Sequence, residues 1–217
     1  MNFDNQDTDL REPAILPDKY SIKVKNNSKK IDFSQQTYGN CRTILPEIIS
    51  STNNVGIINV SRADDGILRK MPVFLKYQDK YYPQLALKVA TGITGENQTE
   101  YKIDKNSKLT IGKREIFIDN DGSAILNWYG STGAYEQIPL YALLKALDNP
   151  KPDKTFENKI VYIGSTASSL FDIKTTPTAK IYPGVEIQAT YVNNFLDNNF
   201  ISKVNKNVTL FIGLVLA

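Results

Sequence analysis

The chain contains no histidine and a single cysteine, Cys41, among its 217 residues. Without histidine there is no Ser-His-Asp or Cys-His nucleophile system, no imidazole general base and no HExxH zinc site. A zinc site would draw on the two residue types that are missing or nearly so. One cysteine cannot close an internal disulfide, so cysteine usage says nothing of the redox compartment. With Arg42 beside it a thiolate is conceivable, but a small buried hydrophobe is the expectation. A strong excess of one charge is also lacking: 26 basic residues against 23 acidic leave +3. The basic residues are scattered rather than striped, which gives a nucleic-acid surface little support. A mean hydropathy of −0.33 excludes a multi-span membrane protein. Neither GxGxxG nor GxxxxGK[ST] occurs, and no internal repeat is visible.

What is present suits an ordinary globular core. Hydrophobic residues make up 41%, aromatics 10% and charged residues 23%, near globular averages, and the length is enough for one domain. Residues 1–12 are acidic and polar, without the basic and apolar regions of a secretory signal. Residues 208–217 carry no charge. As a helix they would reach about 15 Å, half of the about 30 Å of a hydrocarbon core. The expectation is the first half of a truncated transmembrane helix; the alternative is a buried C-terminal helix docked on the domain.

Residues 1 to about 54 have poor periodicity and read as one or two edge strands and loops. Residues 55–60 and 71–77 are apolar, β-branched runs joined through the turn residues Asp64, Asp65 and Gly66, hence strand, turn, strand. A helix is expected from Pro83, with proline in its first turn and Gly92 and Gly95 at its end. Residues 109–118 and 124–129 read as three short antiparallel strands. Leu140, Leu143, Leu144 and Leu147 place one apolar stripe on a helix, read as core. Residues 159–164 form a compact apolar strand that feeds a long loop, 165–183, before a helix marked by Val185, Ala189, Val192 and Leu196. The fold class expected is α/β in the mixed α+β sense, a mixed sheet with flanking helices and a βα crossover.

Several ordered motifs carry a resemblance. Gly56-Ile57-Ile58-Asn59-Val60 is followed by Asp64-Asp65-Gly66, Arg69 and Pro72, then by Tyr82-Pro83 with Leu85-Ala86-Leu87, then by Asn127-Trp128-Tyr129-Gly130. The register continues through residues 156–167, Asp172, Thr175-Thr176-Pro177 and residues 183–189. The chain resembles the second class of CHASE domains, extracytoplasmic sensor modules associated with bacterial cyclases and histidine kinases. The resemblance implies one N-terminal membrane span, an extracytoplasmic domain, about three further spans and a cytoplasmic output domain. The output is commonly a nucleotide cyclase, otherwise a histidine kinase, serine/threonine kinase or diguanylate cyclase, and none of these catalytic domains is expected in this chain. The domain division expected is a poorly matching segment 1–54, a sensor domain 55–203 and the start of a membrane helix at 204–217. Against the resemblance, the expectation is that the first membrane helix and the opening strand-and-helix portion of the sensor are absent, which would leave an exposed sheet edge.

The resemblance brings no settled ligand residues, so the site is argued from chemistry. Asp65 and Arg69 lie four positions apart across a turn: an ion pair is the first expectation, a guanidinium fork offered to an anionic ligand the second. Residues 164–169, with Ser165 and Thr166, offer N–H groups and hydroxyls at an expected helix start, where anions bind and where plain N-capping is also common. The segment from Leu170 through Asp172 to Thr176 leaves the end of an expected central strand and is the main candidate for a ligand-facing loop, against a self-packed Ω-loop. Glu186, in the first turn of a helix, compensates the macrodipole or contacts ligand. The candidate ligand-binding set is therefore Asp65, Arg69, Ser165, Thr166, Asp172, Thr176 and Glu186, with no catalytic residue, metal or cofactor. Expected partners are a small-molecule or periplasmic ligand, the membrane through the C-terminal helix, and a second copy in a homodimer. Two alternatives stay open: a receptor fragment without function, and a soluble hydrolase-like or transferase-like enzyme whose tail is buried.

Overall fold

The computed structural model describes residues 2–4, 16–60, 63–147, 154–166, 172–204 and 206–216. Strands β1 (Asn2–Asp4), β2 (Lys23–Asn26), β3 (Thr37–Tyr38) and β4 (Asn40–Arg42) precede helix α1 (Pro46–Ser51). Strands β5 (Lys70–Pro72), β6 (Phe74–Tyr77) and β7 (Lys80–Pro83) precede α2 (Leu85–Ile93). Strands β8 (Glu100–Ile103), β9 (Lys108–Ile111), β10 (Arg114–Phe117) and β11 (Ser123–Ile125) precede α3 (Leu140–Leu147). Strands β12 (Ile173–Lys174) and β13 (Tyr182–Pro183) lead into α4 (Gly184–Leu196), and α5 (Lys206–Leu216) follows.

The sheets are mixed, and the class is α+β as expected. β2 lies parallel to β8 and β3 parallel to β6, while β6–β7, β8–β9, β9–β10, β5–β11 and β12–β13 are antiparallel. β2 and β3 are edge strands, as residues 1–54 led one to expect. The β6–β7 hairpin turns on Gln78 and Asp79, both left-handed (φ 46° and 61°), the geometry that matches the twist of the flanking strands. Asp65 and Gly66 form the expected turn, with Gly66 at φ 76° and its N–H on Ala63 C=O at 2.8 Å.

The main core lies between α2, α4 and the strands: Ala86, Leu87 and Ala90 meet Ile187, Tyr191 and Phe195, closed by Met71, Phe74, Tyr101 and Leu109. A second cluster joins Leu16, Tyr20, Cys41 and Ile49 to Val55, Ile57, Leu75, Tyr77 and Tyr82. Tyr20 anchors it by donating its hydroxyl hydrogen to the carbonyl of Ile49 or Thr52. Cys41 is buried, and burial pushes its thiol up to about 11, so it is the small hydrophobe expected rather than a thiolate.

Four expectations are corrected. Pro83 ends β7, and α2 begins after it at Leu85; the proline's missing N–H is spent on a strand end instead of a helix start. Residues 159–164 form no strand, and Ile163 is 91% exposed. Residues 55–60 form no ladder either; Ile57 alone bridges to Gln84. The α3 stripe is not core, since Leu140 and Leu144 are 62% and 54% exposed. At residues 159–164 and on α3, β-branched or periodic apolar runs report the wish to be covered, and the described residues leave Ile163, Leu140 and Leu144 exposed. Residues 55–60 are largely buried, Val55 and Ile57 in the second cluster, without a ladder partner. Gly56 shows how close the remaining packing is: a Cβ there would enter the main chain of Leu85.

α5 is a helix as expected, and its described side chains are exposed on every side, including Phe211, Ile212, Leu214 and Val215. The docked, buried C-terminal helix is therefore not what forms. Among the described residues no helix is long and apolar enough to cross a membrane, so the span expected from residue 204 is not seen as such.

Candidate functional site

α4 organises the site. Pro183 fixes the extended entry, and Gly184 is where the chain turns into the helix. Of the stripe read from periodicity, Val192 is buried, while Val185, Ala189 and Leu196 are only half-buried; Ile187, Tyr191 and Phe195 are buried together with the polar Glu186, Gln188, Thr190 and Asn194. A helix covered nearly all round does not present one clean apolar face, which is why periodicity found only Val192 of the buried positions. Each of these four polar side chains has a partner, whereas the buried Tyr191 hydroxyl finds none among the described residues. Gln188 Oε1 accepts the Ala86 N–H at 3.2 Å and so ties α4 to the start of α2. Asn194 acts like a short strand: it accepts the Asn127 N–H at 2.8 Å and donates to the Asn127 C=O at 2.9 Å.

A cleft of about 740 Å³ opens at the N-terminus of α4. It is lined by Ile58, Asn59 and Val60, by Tyr162, Ile163 and Gly164, and by Leu85, Val185, Ile187 and Gln188. Gly164 is needed for close approach, because a Cβ would stand 2.7 Å from Val185 Cβ. Asp172 and Lys174 line the same cleft and pair at 3.4 Å, the lysine being the more buried of the two. The Asp172 carboxylate lies against the Cα of Gly184, where any side chain would collide with it, and its C=O accepts the Gly184 N–H at 2.9 Å. A carboxylate at this position complements the positive end of the helix.

The candidate residues from sequence separate in space. Asp172 is in the cleft, and Ser165 and Thr166 are exposed and follow directly on Gly164 at its rim. The rest of the expected helix start, Ser168 and Ser169, and Leu170 lie outside the described residues. Arg69 is closed on Asp65 by two hydrogen bonds, 3.0 and 2.7 Å. The hydrogen bond from Arg69, helped by the Ile67 N–H, lowers the Asp65 carboxyl to about 2. Its fork is thus occupied, and neither residue lines the cleft. Thr176 is buried in a local turn, its hydroxyl accepting the Ala179 N–H at 3.1 Å. Glu186 is also buried and accepts the Gly133 N–H at 3.1 Å and the Gln137 amide; it holds the segment before α3 rather than facing the cleft.

Sequence reasoning missed Tyr162, Lys174 and Gln188 as cleft residues. The available signal was weak: a glutamine one turn beyond Gly184 in a region otherwise apolar. The Tyr162 hydroxyl is buried without a hydrogen-bond partner among the described residues, and burial raises it well above the usual phenol range. Among the described residues no cluster of acidic or cysteine side chains could hold a metal.

The far end of α4 is tied back to the core. Ile201 N–H donates to the Ile125 C=O at 3.1 Å, and Lys203 reaches Asp119 at 2.7 Å, which also takes Lys70 at 3.2 Å. Burial pushes the Asp119 carboxyl up, but bonds from Lys203, the Asn120 N–H and Lys70 outweigh it and hold the carboxyl below its ordinary value.

A family model described as CHASE2 domain matches residues 7–217, the segment before residue 55 included. No curated protein and no solved structure matches the chain.

Proposed function

We propose, because the chain belongs to the CHASE2 domain family, that it is the extracytoplasmic sensor of a bacterial membrane receptor and that its ligand enters the cleft at the start of α4. CHASE2 domains are extracytoplasmic sensory modules of signalling proteins and are not catalytic. The observation that carries the site is the convergence of the 58–60 wall, the 162–164 wall, Asp172, Lys174 and Gln188 on one helix terminus. In this reading residues 55–203 are the sensor, with Asp172 facing ligand and Ser165 and Thr166 at the rim. Residues 204–217 lead into the membrane, because α5 has an apolar surface on every described side and no protein against it. Ligand that binds two arrangements of α4 unequally shifts their populations, and the Ile201 and Lys203 ties carry the shift to α5. A nucleotide cyclase is the proposed output, with a histidine or serine/threonine kinase second, and the receptor works as a homodimer.

The placement is tested by reporter fusions at Val204 in the membrane receptor. Alkaline phosphatase, which folds only outside the cytoplasm, is expected to be active there and a cytoplasm-dependent reporter silent. The reverse pattern would contradict an extracytoplasmic sensor. For the site, Asp172→Ala is expected to alter the receptor's response and Arg69→Ala to leave it unchanged.

A further inference from the structure

Two segments whose composition reads as sheet interior, 57–60 and 160–164, both reach the cleft, which residues 58–60 and 162–164 line. Their residues are dominated by isoleucine and valine, the types enriched where strands are buried on both faces. Among the described residues, no hydrogen bond involves the main chain of Ile58, Val60 or any residue from Ile160 to Gly164. Their side chains also lack cover: Ile58, Ile160, Val161 and Ile163 are all exposed. These are two separate deficits on the same segments: main-chain groups at Ile58, Val60 and 160–164 without a partner among the described residues, and uncovered aliphatic surface.

The chemistry of an occupant follows from what meets both. A small anion or sugar would match a few polar groups and leave the aliphatic walls wet. An acyl chain would cover the walls and leave the N–H and C=O groups without partners, at a cost for each group thus buried. A polypeptide strand supplies alternating donors and acceptors to both walls and lays side chains on their apolar surface. Charge narrows it further: among the described residues Asp172 and Lys174 are the only charged ones lining the cleft and they pair with each other, so the described walls offer no net charge to a charged segment.

We propose that the ligand of this cleft is an uncharged, valine- and isoleucine-rich polypeptide segment from another protein, bound by β-strand addition to residues 58–60 and 160–164. The proposal rests on the reading of the cleft as the sensory site and names the class of molecule it takes.

The test uses the full 217-residue chain and a dye-labelled peptide of about six residues, the usual strand length, built of valine, isoleucine and threonine. A second peptide is identical but N-methylated at alternate residues, which removes main-chain donors and keeps every side chain. The unmodified peptide is expected to bind saturably by fluorescence anisotropy and to protect the amides of residues 160–164 from hydrogen exchange. The N-methylated peptide is expected to bind at least about tenfold more weakly, the loss of roughly one net hydrogen bond or more. Ile163→Pro, at a side chain standing in water where folding is not at stake, is expected to weaken the unmodified peptide similarly. Equal binding of the two peptides, or none, would overturn the proposal. So would a chain whose residues 160–164 are already protected in a dimer, because a second copy would then be the occupant. If peptide binding fails while a cleft-filling substitution still changes receptor output, the ligand class falls and the sensory site stands. If peptide binds and the same substitution leaves output untouched, the reverse holds.

Discussion

Replacing Phe195 with alanine is expected to lower the unfolding free energy by about 3–5 kcal/mol in denaturant titration, the usual cost of emptying a large buried aromatic site. Phe195 is fully buried in the last turns of α4, within the cluster that includes Tyr191, Val192, Ile116 and Leu109. The Arg114 guanidinium lies 5.2 Å from its ring centroid, so truncation also removes a cation–π contact. Against a total of about 5–15 kcal/mol for an ordinary domain, that loss brings the chain close to unfolding. Phe195→Leu keeps most of the volume and is expected to cost distinctly less. A loss below about 1 kcal/mol for the alanine variant would mean that α4 is not packed here as described, since even an Ile→Val change in a core costs about that much.

The second large effect is expected at Glu186. The residue is 4% exposed, and among the described residues no lysine or arginine pairs with its carboxylate; the partners are the Gly133 N–H and the Gln137 amide. Both are hydrogen bonds to a charged group, worth about 1.5–3 kcal/mol each. Glu186→Ala is therefore expected to cost about 3 kcal/mol and to release residues 131–137, seen as faster hydrogen exchange at Gly133. Glu186→Gln keeps the side chain's size and one acceptor oxygen, losing the charge and the second acceptor, and should cost less than alanine. A ligand role for Glu186 predicts otherwise: folding stability would stay near that of the parent while the receptor's response was lost.

The legible parts of this fold were those where local chemistry decides the outcome. The Asp65–Gly66 turn, the β6–β7 hairpin and the Gly112 turn between β9 and β10 follow from positive-φ positions and alternation within a few residues, and so does the Asp65–Arg69 pair. The parts that were not legible depend on what lies across from a segment. Ile160, Val161 and Ile163 have the composition of a central strand, yet a strand exists only with a neighbour, and none is found beside them among the described residues. Leu140 and Leu144 have helical spacing without a surface to face. In α4 the opposite holds: it is covered on so many sides that Glu186, Gln188, Thr190 and Asn194 are interior, and no apolar stripe marks them. The family register, in contrast, was visible because Gly56, Asp65, Gly164 and Gly184 sit where close backbone approaches or turns restrict the residue type. The cleft was half legible: Asp172 and the rim residues Ser165 and Thr166 were singled out from loop position, while Tyr162, Lys174 and Gln188 became visible only once the walls were assembled.

The account turns on the cleft at the start of α4 being the place where the receptor is addressed. Val185 lines it and abuts Gly164, so Val185→Trp fills it with a ring at the point where ligand is proposed to enter. The direct measurement is the output of the membrane receptor carrying that substitution, read as cyclic nucleotide or phosphorylation while the extracytoplasmic medium is varied, with the unfolding midpoint of the chain measured in parallel. The account predicts an output that no longer varies with the medium while the domain stays folded. An output that varies as in the parent receptor, on a folded domain with the cleft filled, would contradict it.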